Sequence, residues 1–182
     1  MYPIDDLSCR AGRIGLAAMP GRGGDYAGDL AAIRAWGPAV VISMTPDDDL
    51  ARHGAATLGA DLAAAGILWR QVATEDYGVP GPGAAPAWAL ASRDAARALG
   101  AGGRVFAHCV AGCGRSGMAL LRLMVEAGEA PGVAIARLRA ARPCAVERPA
   151  QFDWAAEPWR AEGGERPGAT QADPVAAASF RT

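Results

Sequence analysis

The segment RVFAHCVAGCGRSGMALLRLMVE, residues 104–126, is the most informative part of this chain. Its first six residues are rich in the large apolar and β-branched types that form buried strands, and the spacing of apolar residues over 115–127 predicts a helix. A glycine-bearing loop joins the two. Such a strand–loop–helix unit can bind an anion, because loop N–H groups can turn inward and the helix dipole adds positive potential at the helix N-terminus.

The side chains in and beside this loop are spaced so that a nucleophile and an anion-binding group can act together. Cys109 begins the loop, where the field of a following helix favours a thiolate, so it is the candidate nucleophile. Arg115, six residues on, can curl back and hold two oxygens of a tetrahedral oxyanion with its planar guanidinium. Ser116 is suited to donate a hydrogen bond to the sulfur, and also to cap the helix. His108 is interpreted as a support for the loop. The candidate phosphate-binding residues are Val110, Ala111, Gly112, Cys113, Gly114 and Arg115.

Outside this segment, short β-type runs alternate with alanine-rich helical stretches. This alternation predicts an α/β fold, a single domain with a central, mostly parallel sheet flanked by helices. We expect the domain to span residues 1–161 and a flexible tail to span 162–182, where turn-forming residues replace any periodicity. The other predicted strands are 13–16, 39–44 and 67–73, and the other predicted helices are 26–36, 54–65, 84–99, 132–142 and 150–160. The acidic run 47–49 is predicted to begin or cap a helix.

Composition excludes several classes of protein. The 182 residues suffice for one domain, and 18 basic against 19 acidic residues leave a net charge of −1. That balance disfavours a polybasic nucleic-acid or membrane-surface binder. Asp5 and Asp6 stand where a signal peptide needs basic residues, no apolar run is long enough to cross a membrane, and four cysteines lack the density of a disulfide framework. We therefore expect a soluble, reduced, cytoplasmic monomer.

The motif resembles the signature of the cysteine-dependent protein tyrosine phosphatases, which is His-Cys, five residues, Arg, then Ser or Thr, and residues 108–116 match it throughout. Within that superfamily the chain looks most like the compact dual-specificity phosphatases, especially the kinase-associated-phosphatase-like bacterial group. Three further stretches are similar to the family. Residues 12–21 resemble its opening strand and loop, residues 75–80 its general-acid loop, and residues 142–151 its Arg-Pro-Gly-x-x-Glu stretch with a following Gln. Together they extend the resemblance to about residues 12–160.

The resemblance implies further site residues. Asp76 corresponds to the general acid, with Glu75 as the adjacent competitor. Gln151 corresponds to a residue that positions the hydrolytic water. Two positions depart from the family pattern: Cys144 stands where a glycine is usual, and Arg148 where a small polar residue is expected.

The function so implied is hydrolysis of phosphomonoesters through a cysteinyl-phosphate, without metal or cofactor. The expected substrates are phosphotyrosine and phosphoserine or phosphothreonine proteins, because the chain shows no aromatic-bearing recognition loop of the tyrosine-specific kind before Arg13, which favours a shallow pocket. Polyanionic lipid headgroups are disfavoured, because the variable loop positions Val110, Ala111 and Cys113 carry no basic side chain. The alternatives are a thiol oxidoreductase or sulfurtransferase that uses the same loop, a phosphatase of small molecules or inositol phosphates, and a phosphate-binding module without catalysis.

Cys113 has two interpretations. It is either a small residue tolerated in the loop, or a resolving thiol that traps oxidised Cys109 as a disulfide. The tight four-residue spacing opposes the second interpretation. Cys9 and Cys144 are interpreted as structural.

Overall fold

The four predicted strands and one further strand form a five-stranded sheet. The computed structural model describes residues 2–161, apart from the side chains of Trp159 and Arg160, so the tail predicted at 162–182 lies outside the described residues. The strands are β1 (Asp5–Cys9), β2 (Gly12–Ala18), β3 (Val40–Ser43), β4 (Leu68–Gln71) and β5 (Arg104–Cys109). Their order in the sheet is β1-β2-β5-β3-β4, with β1 antiparallel to β2 and the remaining pairs parallel.

Helices cover both faces of this sheet. Apolar side chains of the first three helices pack on one face together with Phe106, and those of the last four pack on the other face together with Val105 and Ala107. The helices are α1 (Tyr26–Trp36), α2 (Asp47–Arg52), α3 (Leu58–Ala64), α4 (Ala85–Gly100), α5 (Gly114–Glu126), α6 (Pro131–Ala141) and α7 (Pro149–Ala161), and a 3-10 turn at Pro82–Ala84 precedes α4. The predicted α/β class with a mostly parallel sheet is confirmed.

The central strand β5 places the reactive loop. Its side chains are buried on both faces, as is usual for a parallel strand between two helix layers. His108 is paired with Ala17 of β2 and with Ser43 of β3, so the carboxyl ends of three parallel strands meet at Cys109. Ligands of open α/β sheets bind at this edge.

The structure corrects several predicted bounds. The strand β1 was not predicted, because its sequence DDLSC is short and polar; it is an edge strand whose Asp6 forms an ion pair of 2.8 Å with Arg13 of β2. The predicted helix 54–65 begins only at Leu58, because α2 ends before Gly54, whose φ of +72° interrupts a right-handed helix. The helix 26–36 and the strand 104–109 are confirmed at both ends. Within residues 2–161, each helix is too short or too polar to span a bilayer.

Candidate active site

The loop after β5 turns its carbonyl groups outward. The Val110 carbonyl accepts a hydrogen bond of 3.2 Å from the backbone N–H of Met19. The carbonyls of Ala111 and Gly112 accept bonds of 3.1 and 3.0 Å from Nη2 and Nε of Arg142. In a planar trans peptide the N–H points away from the C=O, so the N–H groups of the same peptides face the loop interior. The loop is therefore a cradle of backbone donors for an anion.

Glycines allow this loop to pack closely against its surroundings. Gly112 has φ +72°, and a Cβ there would lie 2.3 Å from the carbonyl carbon of Ala17 and 2.4 Å from the nitrogen of Ala18, so both conformation and space require glycine. At Gly114 a Cβ would displace the side chains of Glu147 and Gln151. The loop is thus held between β2 and the chain that follows α6.

The candidate nucleophile lies at the base of this cradle. Cys109 is a free thiol, only 2% exposed, at the last position of β5. Its Sγ is 3.4 Å from Oγ of Ser116, which is fully buried in the first turn of α5. The hydroxyl can donate to a thiolate at this distance, and the N-terminus of α5 stabilises a negative charge there.

His108 is a buried, neutral residue that supports the site from the protein interior. Its Nε2 lies 2.6 Å from Oγ of Ser43, which also accepts a 2.7 Å hydrogen bond from the indole N–H of Trp69. Burial lowers the pKa of His108 to about 3, and the charge of Arg115 adds to this shift; within the described residues the Nδ1 of His108 makes no hydrogen bond. A histidine that is neutral at physiological pH can hold β3 and β5 together, but it does not shuttle protons there.

The guanidinium of Arg115 is buried, 2% exposed, and bound to two carboxylates. Its Nη1 donates to the Thr74 carbonyl at 2.9 Å and to Oδ2 of Asp49 at 3.2 Å, and its Nη2 lies 3.1 Å from Oδ1 of Asp76. Within residues 2–161, its Nε makes no hydrogen bond, so that donor can bind an anion.

The structure brings Asp76, and not Glu75, to this guanidinium. Residues 75–78 form a turn closed by a 2.9 Å bond from the Gly78 N–H to the Glu75 carbonyl. The Asp76 side chain is 68% exposed although it touches Arg115, and Glu75 is exposed. Tyr77 adopts a φ of +56°, a left-handed conformation that is unfavourable for a residue of this size. An exposed carboxyl on such a turn can exchange between Arg115 and a substrate oxygen.

Gln151 is buried and connects two loops. Its Oε1 accepts hydrogen bonds from the N–H groups of Glu147 and Arg148 at 3.0 and 3.2 Å, and its Nε2 donates to the Gly78 carbonyl at 3.3 Å. The guanidinium of Arg148 lies 4.5 Å from the ring centre of Tyr77. The departure from the family pattern at Arg148 therefore adds a contact to the Asp76 turn. The water-positioning role of Gln151 stays a prediction.

Sequence reasoning missed the contact between Asp49 and Arg115. The acidic run was assigned to a helix start, and α2 does begin at Asp47, but Asp49 also binds Arg115. Three consecutive aspartates carry no signal of which one faces the loop. In the described part of the chain, no group of three His, Cys, Asp or Glu side chains is arranged to hold a metal ion.

A disulfide joins Cys113 of the loop to Cys144, with a Cα–Cα distance of 5.2 Å. Both interpretations of Cys113, as an inert small residue and as a partner of Cys109, are wrong for this structure, and so is the expectation of a fully reduced chain. Cys9 and Cys109 stay free and buried. A separation of 31 residues left no sign of the pairing in the sequence, because only the fold brings the chain after α6 against the loop.

Comparison with known proteins supports the fold. The sequence matches no protein-family model, and no curated protein matches it significantly. Among solved structures, the kinase associated phosphatase (KAP) with its catalytic-site cysteine changed to serine has a TM-score of 0.76 and 19% identity, over 91% of this chain and 98% of that chain. Tk-PTP in its active form has a TM-score of 0.67 and 22% identity, over 86% and 97% of the two chains.

A third similar structure is that of PTPMT1 in complex with PI(5)P, with a TM-score of 0.65 and 18% identity over 88% of this chain and 99% of that chain. Identities this low show the fold alone. The chain has the fold of the tyrosine and dual-specificity phosphatases, as the resemblance in sequence implied.

Burial of His108 makes the stability of the protein depend on pH. The pKa of His108 is about 3 in the folded protein and near 6.5 in the unfolded chain. Its burial therefore contributes fully to the free energy of unfolding above pH 6.5, and this contribution is lost as the pH falls from about 6.5 towards 3. The free energy of unfolding is measured with urea at several pH values. Over this range it should fall by up to about 1.4 kcal/mol per pH unit more in the wild type than in His108→Gln.

The variant His53→Gln, which removes the other histidine of the chain, is the matched control and should keep the steep component due to His108. Equal slopes for wild type and His108→Gln would contradict the prediction. If His108→Gln does not fold, titration of the His108 ring by NMR in wild type gives the same information.

Arg142 should determine how well the loop binds an anion. Arg142→Ala leaves two loop carbonyls without their donor, so the affinity for inorganic phosphate, measured by calorimetry, should fall about tenfold or more. Arg142→Lys should not restore it, because an ammonium cannot reproduce two bonds with fixed geometry. Arg137→Ala is the matched control: Arg137 also makes three hydrogen bonds, to Glu129 and Ser8, but none to the loop. Equal phosphate affinities in all four proteins would refute this role.

Proposed function

We propose that this chain is a cysteine-dependent phosphomonoester hydrolase that acts on phosphotyrosine and on phosphoserine or phosphothreonine in proteins. The observation that carries the proposal is a buried thiol at the base of a loop whose N–H groups face inward, with a buried guanidinium and an exposed carboxyl at its rim. Every step below uses only side chains and backbone groups of the chain, so the reaction as proposed needs no metal or cofactor.

In the first step, the Cys109 thiolate attacks phosphorus in line with the ester oxygen. An S–P bond forms, and the P–O bond to the leaving group breaks. The loop N–H groups and Arg115 hold the three non-bridging oxygens, whose charge must be stabilised in the transition state. Asp76 gives its proton to the departing oxygen, which leaves as an alcohol or phenol.

In the second step, water attacks the phosphorus of the cysteinyl-phosphate. The Asp76 carboxylate formed in the first step accepts a proton from this water, and the S–P bond breaks to release inorganic phosphate. The sulfur leaves as a thiolate, stabilised by the Ser116 hydroxyl 3.4 Å away and by the N-terminus of α5. Asp76 is again protonated, and the enzyme returns to its starting state.

The contact between Asp76 and Arg115 is consistent with this cycle. Without phosphate, the guanidinium binds the carboxylates of Asp49 and Asp76. A phosphate dianion offers more negative charge to the same donors, and protonated Asp76 has no ion pair to lose. Because Asp76 is 68% exposed and Asp49 only 16%, Asp76 is the carboxyl that can leave for the substrate.

The rim of the site favours a peptide as substrate. Tyr77 and Val79, which follow Asp76, are exposed apolar side chains, 52% and 36% accessible. They offer contacts to a polypeptide next to its phosphorylated residue. The loop side chains Val110 and Ala111 bring no positive charge for a second phosphate.

One alternative has a specific observation in its favour. The Cys113–Cys144 disulfide beside the loop is what a thiol oxidoreductase would need. In such an enzyme Cys109 would exchange electrons with a disulfide and would not hydrolyse esters, so turnover of a phosphate ester separates the two functions.

Replacement of the nucleophile should abolish turnover. With an aryl phosphate at pH 5–7, Cys109→Ser should fall to the uncatalysed background, because a neutral hydroxyl is a far weaker nucleophile than a thiolate. Excess chelator should leave the wild-type rate unchanged. Cys9→Ser, which changes the other free thiol, is the matched control and should keep the wild-type rate. Turnover that survives Cys109→Ser would overturn the mechanism.

Replacement of the general acid should change both the rate and its dependence on pH. Wild-type kcat/KM should give a bell-shaped profile, because Cys109 must be ionised and Asp76 protonated. Asp76→Asn should lower kcat about 10²–10⁴-fold and remove the decline on the alkaline side. Glu75→Gln is the control and should behave as wild type. A wild-type rate that climbs steadily to about pH 9, or a loss confined to Glu75→Gln, would show that Asp76 is not the acid.

A further inference from the structure

The chain between α6 and α7, residues 142–148, touches both loops of the candidate site; we call it the α6–α7 turn. Arg142 binds two carbonyls of the phosphate-binding loop, and the Val146 N–H approaches the Cys113 carbonyl at 3.4 Å. The Cys113–Cys144 disulfide joins the same two segments covalently.

The same turn reaches the loop that carries Asp76. Gln151 binds the N–H groups of Glu147 and Arg148 through one side-chain atom and the Gly78 carbonyl through another, and Arg148 lies over the ring of Tyr77. A change in how the turn is held therefore affects the anion cradle and the acid loop together.

The disulfide is open to attack by thiols. Cys144 is exposed and Cys113 partly buried, whereas the free thiols Cys9 and Cys109 are only 4% and 2% exposed. A small dithiol therefore meets Sγ of Cys144 first. Attack there breaks the S–S bond and releases the sulfur of Cys113, the N-cap residue of α5.

Reduction changes the anion site in two ways. It removes the covalent link that holds residue 113 against the α6–α7 turn. It also frees the side chain of residue 113 to move within the loop that must hold a phosphate dianion. Both effects weaken phosphate binding, and neither removes Cys109, Arg115 or Asp76.

We propose that Cys113 and Cys144 form a redox-controlled positioning pair: the closed disulfide keeps the loop in its high-affinity form, and reduction by a dithiol lowers the affinity for phosphate. The consequence for catalysis rests on the proposed function; the consequence for phosphate binding does not.

The thiol–disulfide exchange between the dithiol and the Cys113–Cys144 bond conserves atoms and electrons. One thiolate of the dithiol bonds to Sγ of Cys144, and the Cys113 sulfur leaves with the electron pair of the broken S–S bond. The second thiolate then closes on the first dithiol sulfur and expels the Cys144 thiolate. Two electrons pass from the dithiol, which leaves as a cyclic disulfide, and its two protons go to the solvent or to the new thiols.

Binding of inorganic phosphate tests the proposal without any turnover. Calorimetry is done on Cys109→Ser, which protects the nucleophile position from oxidation, after mild oxidation and after dithiothreitol. Thiol titration should find one thiol, Cys9, in the oxidised sample and three after reduction. The phosphate Kd should rise about tenfold on reduction, which corresponds to about 1.4 kcal/mol of binding free energy. Circular dichroism checks that both samples are folded.

Variants and kinetics complete the test. Cys144→Ser, in the same background, should show the raised Kd permanently and should not respond to dithiothreitol, whereas Cys9→Ser should respond as its parent does. With Cys109 present, reduction should raise KM for an aryl phosphate more than it lowers kcat.

Two outcomes would overturn the proposal: equal phosphate Kd values in samples whose titration proves reduction, or a titration that finds three thiols even after oxidation. A reduction-sensitive Kd without ester hydrolysis would leave the redox pair standing and refute the proposed function. Ester hydrolysis with a phosphate Kd and a KM that do not change on reduction would support the proposed function and refute the redox pair.

Discussion

Three outward-facing carbonyls, those of Val110, Ala111 and Gly112, are the constraint on which the rest of this site depends. An anion cradle needs inward N–H groups, and peptide planarity then sends the carbonyls into the protein, where an unpaired acceptor is costly. The fold supplies the missing donors. The pairing of β2 with β5 brings the N–H of Met19 to one carbonyl, and the end of α6 brings Arg142 to the other two.

A second constraint is electrostatic, because a buried guanidinium must be paired. Arg115 has a stable partner set, Thr74 and Asp49, on one nitrogen, and an exposed and exchangeable partner, Asp76, on another. One side chain can thus stay charged in the interior and still offer donors to an incoming anion. His108 stays neutral in the interior, so the charged side chains around the site are Arg115 and its partners Asp49 and Asp76.

From the residues alone, the sequence predicted the contiguous part of the candidate site, whereas Asp76 and Gln151 were predicted from the family resemblance. Residues 104–116 carry the strand, the loop and the candidate nucleophile in one stretch. Their geometry follows from local rules, as does that of the helix Tyr26–Trp36 with its Asp25 cap and the αL Gly37. What sequence reasoning missed depends on contacts between distant residues. The edge strand β1 is polar and forms only because β2 lies beside it, and neither Asp49 nor Cys144 carries a local signal of its contact with the loop.

Close packing requires glycine at residues 112 and 114, on either side of Cys113, and this packing explains where the disulfide lies. A side chain at residue 112 would collide with the backbone of β2, and one at residue 114 would displace Glu147 and Gln151. Residue 113 lies between them and carries a side chain that reaches the α6–α7 turn. A covalent link between this part of the loop and the turn therefore passes through residue 113, and residue 144 lies opposite, 5.2 Å away between Cα atoms. Because Arg142 and Val146 hold the same loop without covalent bonds, breaking the link loosens the cradle but leaves its carbonyl contacts in place. The geometry thus suits graded control of anion affinity better than an on–off switch.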